Sequence, residues 1–409
     1  MEIKIIATTA TDSKNFENSE QYNIFSGKVA GVCYMPNTFD DLINESQEKT
    51  LKRCNLTKNN GHHSVFDHEY ISLYIDQIPK LLAMILNNEK MYTTSEKSAR
   101  YTIMTNCSTV EKKLYNKWYD IFVDTITKKY GGTSPFFDER RIKKLAQENA
   151  RYFLSIYTPT SMVYTTSYRQ LNYIAHWLTQ LENNENVYLQ KLSSYGKIFV
   201  ERLKEFNLID TALLDDRKSR QFSLFANRER QEEFGENYCT TYLGSFASLA
   251  QAQRHRTLSY EILPLTTPQF YIPEIIKNDK DLCQQWLNDM DKVKDIHPQA
   301  ELIKINERGT VENFILKTKE RLCSFAQLEI MRQTEDTLKK YHNTTTNTLV
   351  KHYLEKYLKG ARCTSGEFKC DQPCMFKEGI TLEREIWCVN KVFCSFNQYS
   401  LKKSTCNFG

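Results

Sequence analysis

The sequence predicts strands and helices arranged in two related halves, and three observations lead to this prediction. Residues 69–87 change from alternating apolar positions to helical spacing at Pro79, which indicates a strand that feeds a helix. The order of predicted elements in the second half loosely echoes that in the first, which suggests a divergent duplication. The length of 409 residues is enough for two or three domains, so each half can form its own core.

The composition is that of a globular protein. Hydrophobic residues make up 40% of the chain and aromatic residues 12%, and no segment approaches the roughly 18 uncharged apolar residues of a membrane helix. Residues 1–7 alternate like a first strand and lack the features of a secretory signal, so a cytoplasmic location is expected. The net charge of +5 forms no basic stripe, which favours small anionic ligands over nucleic acid as partners.

The predicted elements set the predicted domain limits. Helical spacing predicts five further helices, at 110–129, 138–153, 168–181, 242–253 and 313–341, with a proline-punctuated loop or strand at 263–273. A polar, highly charged segment separates the two halves. The predicted limits are an N-terminal half-domain at 1–213, the junction at 214–237, a C-terminal half-domain at 238–360 and a cysteine-rich tail at 361–409.

The sharpest local feature is the run Arg254-His255-Arg256-Thr257-Leu258-Ser259. Two arginines around a histidine concentrate donors that can grip phosphate or carbonyl oxygens and stack on a flat ring. A solvated basic helix end is the alternative for the tripeptide alone. The run resembles the signature of flavin-dependent thymidylate synthases, in which it holds the flavin. Gln251 stands where that family has a nucleotide-binding glutamine.

Residues 321–330 resemble the second signature of this family, which has an arginine, then Ala-Gln, then Glu-Ile. In the family the arginine faces the uracil ring, so the resemblance implies that Arg321 binds and activates the substrate. Its cationic fork would favour the ionised or enolate-like base. The alternative is an exposed arginine paired with Glu320 or Glu329.

The first half supplies a Gly-His segment that the second half lacks. Residues 61–68 resemble the Gly-His segment of the family, with His62 and Ser64 at flavin-contacting positions. His68 is interpreted as a core or supporting residue, because a lone histidine is more often structural. Ser167-Tyr168-Arg169 partly matches a further flavin-contacting stretch, which makes Arg169 a candidate cofactor-binding residue.

Residues 95–101 resemble the family's loop that holds the nucleotide phosphate. The resemblance implies that Glu96, Ser98 and Arg100 bind the substrate. A serine hydroxyl, a guanidinium group and nearby amides together make an anion site. Arg151 lies in a second nucleotide-binding stretch, at residues 148–151.

Each half lacks what the other keeps. Where the first half should carry Arg-His-Arg it has Asn88-Glu89-Lys90, and Leu178 stands at the position of the base-facing arginine. In the second half, Pro264 and Thr266 replace the serine and arginine of the phosphate loop. Family members are tetramers whose sites are built across subunits. The complementary losses therefore predict one composite site per chain and a homodimer that imitates the tetramer.

The resemblance implies a mixed α/β fold with a twisted sheet and long helices, present twice, and it also implies a reaction. Reduced FAD would donate hydride to the pyrimidine of dUMP, methylenetetrahydrofolate would provide the carbon, and NADPH would reduce the flavin, giving dTMP without a protein nucleophile. Two alternatives stay open. One is hydroxymethylation or another C5 modification of a pyrimidine nucleotide, and the other is a non-catalytic paralogue that binds nucleotide or flavin.

The tail lies outside the resemblance and holds half of the twelve cysteines. Their thiolates offer candidate ligands for zinc or an iron–sulfur cluster at Cys363, Cys370, Cys374 and Cys388. The spacing lacks paired Cys-x2-Cys knuckles, so reduced, partly buried thiols are the alternative.

Overall fold

The computed structural model describes residues 1–9, 17–104, 106–132, 137–214, 220–323 and 326–359. The four predicted cysteine ligands, Cys363, Cys370, Cys374 and Cys388, lie outside the described residues. Within those ranges the fold is mixed α/β, as predicted. The strands are β1 Glu2–Thr8, β2 Tyr70–Pro79, β3 Tyr92–Glu96, β4 Pro159–Ser167, β5 Glu233–Phe234, β6 Asn237–Ser245, β7 Ser259–Leu263 and β8 Leu302–Thr310. The helices are α1 Glu20–Tyr34, α2 Phe39–Ile43, α3 Gln47–Asn59, α4 Lys80–Leu86, α5 Thr109–Tyr130, α6 Glu139–Ala150, α7 Tyr168–Thr179, α8 Val187–Glu205, α9 Phe246–Ala252, α10 Lys280–Asp291, α11 Val311–Arg321, α12 Leu328–Thr344 and α13 Thr348–Glu355.

Contacts divide the chain into two compact units that differ from the predicted half-domains. The first unit contains residues 1–97 and 157–226, and the second contains 98–156 together with the described residues from 227 onward. Helices α5 and α6 therefore belong to the second unit. The reason is a shared core, in which Trp118 and Phe122 of α5 pack edge-on against Trp286 of α10, at ring distances of 4.8 and 5.7 Å. Helical periodicity indicates an apolar face but does not say what covers it.

Each unit contains one four-stranded antiparallel sheet, and both sheets have the same strand order. The orders are β1-β2-β4-β3 and β5-β6-β8-β7. In both units a central strand leads directly into a seven-residue helix, β2 into α4 and β6 into α9. The repeated order agrees with the echo seen in the sequence, and a common origin of the halves stays a prediction.

Hydroxyl side chains cap the three helices that follow β4, β6 and β8. Ser167 accepts a hydrogen bond from the Gln170 amide at the start of α7, and Ser245 accepts one from the Ser248 amide at the start of α9. Thr310 caps α11 in the same way. Each cap satisfies an amide that has no partner within its helix. The caps thus fix where the helices carrying the predicted site residues begin.

Two predicted helices are wrong in their extent. The predicted helix at 242–253 is α9 alone, because residues 242–245 complete β6 and pair with β8. The predicted helix at 313–341 is the two helices α11 and α12, because the chain leaves the helical conformation at Leu322 and is extended at Gln327. The helices predicted at 110–129, 138–153 and 168–181 correspond to α5, α6 with a following turn, and α7. No helix in the described ranges is long and apolar enough to cross a membrane.

Candidate functional site

The second unit brings together arginines from both halves of the sequence. Arg100 lies in the loop after β3, Arg151 directly follows α6, and Arg321 is the last residue of α11. Burial, followed by the positive charges of Arg100 and Arg254, lowers the pKa of Arg321 to about 10. Burial likewise lowers the pKa of Arg151, with a smaller contribution from Arg100. These guanidinium groups therefore lie within electrostatic reach of one another.

The loop that carries Arg100 is held by α6. The Arg100 guanidinium pairs with Glu148 at 3.1 Å, and both side chains are largely buried. The Arg100 amide donates to the hydroxyl of Ser98 at 3.3 Å, and the Gln147 side chain donates to the Ala99 carbonyl at 3.2 Å. Ser98 and Arg100, predicted to hold a phosphate, are thus oriented within the second unit.

A chain of buried hydrogen bonds connects Arg151 to the start of α9. Arg151 donates to the Gln327 side chain, whose amide nitrogen lies 2.5 Å from the Tyr152 hydroxyl. Tyr152 donates to Glu329 at 2.5 Å, and Glu329 accepts from the amide and hydroxyl of Ser245 at 2.8 and 2.6 Å. Burial raises the pKa of Glu329 in spite of these bonds. The network fixes the break between α11 and α12 against the segment that carries Arg151.

Arg321 contacts the predicted nucleotide-binding glutamine through its backbone. Its guanidinium donates to the Gln251 carbonyl at 3.0 Å. The alternative pairing with Glu329 is not formed, since that carboxylate is bound by Tyr152 and Ser245. The side-chain oxygen of Gln251 and the Nε of Arg321 are buried without a hydrogen-bond partner in the described part of the chain. Buried polar atoms that lack a partner are uncommon and point to a ligand.

The Arg-His-Arg run follows α9 and alternates in exposure. Arg254 and Arg256 are exposed, whereas His255 is buried. Burial, followed by the positive charges of Arg321 and Lys317, lowers the pKa of His255 to about 2. Its Nε2 also lacks a hydrogen-bond partner among the described residues, as does Nε of Arg151. His255 is therefore a neutral ring beside the arginine cluster.

The predicted flavin contacts from the first half lie in the first unit. His62 and Ser64 are exposed, and His62 meets Tyr34 edge-on at 6.0 Å between ring centres. Arg169 pairs with Asp67 and lies over the Tyr173 ring at 5.8 Å. Their role in cofactor binding stays a prediction.

The interpretation of His68 as a core residue is wrong, because this side chain is exposed. The buried histidine of the segment is His63, whose ring nitrogens lie 2.9 Å from the Tyr173 hydroxyl and 3.1 Å from the Lys58 carbonyl. The segment 61–68 contains His62, His63 and His68, and the sequence alone does not show which of these side chains points inward.

Glu96 is engaged inside the first unit. It lies at the end of β3, where its carboxylate pairs with Lys80 at 2.5 Å and accepts from the Asn87 side chain at 3.0 Å. The arrangement satisfies both oxygens of a buried side chain. A role for Glu96 in substrate binding would require one of these bonds to be shared or exchanged.

The divergent positions of the first half serve its packing. Glu89 accepts hydrogen bonds from the amide and hydroxyl of Ser223 at 2.5 and 2.9 Å, and Asn88 donates to the same hydroxyl at 2.7 Å. Burial raises the pKa of Glu89 to about 7. Leu178 is 1% exposed and lies against Gly196, where an added Cβ would come within 3.3 Å of it. In the second half, Pro264 and Thr266 are exposed.

Four residues hold the arginine cluster in place but were not predicted to do so. They are Glu148, Tyr152, Gln327 and Glu329. The sequence did contain a signal for them, because Glu148 begins the run that ends at Arg151. Gln327 and Glu329 belong to the Ala-Gln and Glu-Ile pairs of the second signature. Their pairing across the chain could not be read from the sequence. Within the described residues, no group of three or more His, Cys, Asp or Glu side chains could hold a metal ion.

Comparison with known families confirms the resemblance. Residues 22–185 match the family described as thymidylate synthase complementing protein. The matched range contains Ser98, Arg100 and Arg151 and ends before Gln251 and Arg321. Among curated proteins, none matches the chain.

Solved structures with distant similarity include two kinds of protein. The flavin-dependent thymidylate synthase ThyX from Helicobacter pylori, complexed with FAD and dUMP, is 16% identical over 53% of this chain and 100% of its own, with a TM-score of 0.31. The UMP/dUMP methylase PolB from Streptomyces cacaoi, bound with 5-Br dUMP, is 12% identical over 51% of this chain and 96% of its own, with a TM-score of 0.30. The similarity to the family rests on the match of residues 22–185.

Proposed function

We propose that this chain, whose residues 22–185 match the thymidylate synthase complementing protein family, converts dUMP to dTMP with methylenetetrahydrofolate and reduced FAD. The observation that carries the proposal is the arginine cluster of the second unit, in which Arg100, Arg151 and Arg321 meet buried polar atoms that lack partners. A nucleotide supplies the anion and the hydrogen-bonding base edge that such a cluster can satisfy.

The nucleotide would use both signatures of the second unit. Arg100 and Arg151 would donate to the phosphate, with the Ser98 hydroxyl as a further partner. The unsatisfied side-chain oxygen of Gln251 fits the N–H of a uracil ring. Arg321 keeps its charge at neutral pH even with a pKa of about 10, so its guanidinium would stabilise negative charge that develops on the base.

The flavin would lie against the Arg-His-Arg run. Bound FAD supplies hydride transfer to the pyrimidine, and NADPH would be its reductant. Exposed Arg254 and Arg256 offer planar guanidinium groups to a phosphate or a ring, and the neutral His255 offers a hydrogen bond without adding charge. We propose His62, Ser64 and Arg169 as further flavin contacts, and a homodimer as the assembly, which sedimentation would test.

The test begins with the colour of the purified protein. We expect flavin absorbance, or uptake of added FAD, followed by flavin oxidation that depends on dUMP and methylenetetrahydrofolate. Mass spectrometry of the product separates methyl transfer from hydroxymethyl transfer or another C5 modification. A protein without affinity for FAD would contradict the enzyme, and binding of both ligands without turnover would indicate a non-catalytic paralogue.

A further inference from the structure

A cavity of about 620 Å³ lies on the polar face of the second sheet. Its floor is a row of register partners, Glu261 of β7, Asn306 of β8 and Thr241 of β6, whose side chains share one face. Lys304, two residues from Asn306, extends this face. The segment 227–232 forms its wall. None of these residues belongs to the proposed nucleotide site.

Two of the three acids that line the cavity are already bound by cations. Glu261, 4% exposed, accepts from Arg230 at 2.9 Å and lies 3.0 Å from the guanidinium of Arg308. Glu232 pairs with Lys340 and accepts from the Thr240 hydroxyl at 3.1 Å. Their negative charge is therefore spent on these partners and does not neutralise the rest of the lining.

Two cations of the lining have no acid partner in the described part of the chain, namely Arg228 and Lys304, and both are exposed. The charge of Arg228 reaches the sheet, since it contributes with Arg230 to lowering the pKa of Arg308, for which burial is the main cause. Glu229 is exposed at the same wall and offsets only one charge. The cavity thus has an excess of positive charge.

The floor also presents an acceptor. Asn306 is 9% exposed, and its amide nitrogen donates to the Thr241 hydroxyl at 3.1 Å. Its side-chain oxygen is buried without a partner among the described residues. Ile262 and Leu263 add apolar surface to the lining. The cavity volume is within the range of roughly 300–1,000 Å³ that small-molecule sites occupy.

We propose that this cavity binds a small organic oxyanion, a carboxylate or a phosphate, that also carries an N–H group. Arg228 and Lys304 hold the oxyanion, and the side-chain oxygen of Asn306 accepts from the N–H. The site stands on geometry and charge within the second unit, and it does not depend on the proposed reaction.

Calorimetric titration of the full chain with phosphoethanolamine and with glutamate, each of which carries an oxyanion and an N–H group, tests the site with and without dUMP. We expect one of the two probes to bind alongside dUMP, and the tighter probe identifies the oxyanion source. The double variant Arg228→Ala/Lys304→Ala should bind that probe at least about tenfold more weakly, because two charge-assisted contacts are lost. Its dUMP affinity should be unchanged.

The matched control is Arg202→Ala/Lys351→Ala, which removes one half-exposed arginine, paired with Glu205, and one exposed lysine far from the lining residues in sequence. This control should change the probe's affinity less than twofold. Equal losses in the two double variants would show diffuse charge instead of a site. Failure of both probes to bind the unaltered chain would overturn the proposal, whatever the outcome for dUMP.

Discussion

Arg321 combines the two properties that base activation requires, a fixed position and a retained charge. Its guanidinium is held by the Gln251 carbonyl at 3.0 Å, and its Nε lacks a partner in the described residues. The sequence predicted this residue from its signature, but it could not predict that α11 ends here. Apolar spacing continues past the break, and the side chains that make the break, Gln327 and Glu329, act through contacts with distant Tyr152.

We expect Arg321→Ala to lower kcat by at least about a hundredfold, because the charge that stabilises the developing anion is lost. Bound flavin should remain. Arg321→Lys keeps a charge but loses the planar fork, so it should recover only part of the activity. Arg202→Ala, at a half-exposed position in the first unit, is the control. Stopped-flow flavin oxidation measures the effect, and unchanged turnover in Arg321→Ala would show that another residue activates the base.

His255 should make stability depend on pH. Its pKa falls from 6.5 to about 2 in the folded state, so the unfolded chain binds more protons and stability falls as pH drops below 6.5. Between pH 7.5 and 5.5 this group alone should remove about 1.4 kcal/mol from the free energy of unfolding. Urea titrations of the unaltered chain and His255→Gln should differ by this slope. Exposed His352→Gln should leave the slope unchanged, and equal slopes in all three would contradict the prediction.

At the scale of elements, the sequence predicts what a helix or strand is better than what it packs against. The segment 110–129 is α5, as its periodicity indicates, yet Trp118 packs on Trp286, and the helix belongs to the second unit. The strand within 242–245 was missed because β6 runs directly into α9, and the helical spacing of the apolar residues therefore extends back into the strand. Tertiary partners, which a single sequence does not specify, decide both cases.

A buried ion pair sets the position of α11 against β8. Lys317 lies 2.6 Å from Glu307, both side chains are fully buried, and Tyr238 and Tyr242 donate to the same carboxylate at 2.9 and 2.8 Å. Gln333 accepts from Lys317 at 2.7 Å. Lys317 is one turn from Arg321, so the pair fixes the helix that ends at this arginine.

We expect Lys317→Met to lower the free energy of unfolding by about 3–5 kcal/mol, because it leaves the Glu307 charge buried alone. The double variant Lys317→Met/Glu307→Gln should recover part of that loss, since no buried charge remains. Urea unfolding measures both. Lys204→Met, which breaks an exposed pair with Glu201, should change stability by less than about 1 kcal/mol. If Lys317→Met also lowered the free energy of unfolding by less than about 1 kcal/mol, the Lys317–Glu307 pair would be hydrated and the prediction would be wrong.

At the scale of the whole molecule, the two units differ in which of the predicted nucleotide-binding residues they contain. The first unit fills its divergent positions with packing, as Glu89 does with Ser223 and Leu178 does against Gly196. The second unit contains Ser98, Arg100 and Arg151 from the first half of the sequence together with Gln251 and Arg321 from the second. Complementary loss between duplicated halves stays a prediction from the motifs. The placement of residues 98–156 in the second unit could not be predicted, because it depends on which core accepts them.

This division predicts one nucleotide site per chain. Calorimetric titration should give about one dUMP per chain, and Arg100→Ala and Arg321→Ala should each weaken every observed binding event, because the charge of Arg100 already acts on Arg321 in the same unit. Arg169→Ala, in the first unit, should leave dUMP binding intact. If the chain instead had two independent sites, the titration would give two dUMP per chain, and each arginine variant would remove only half of the binding.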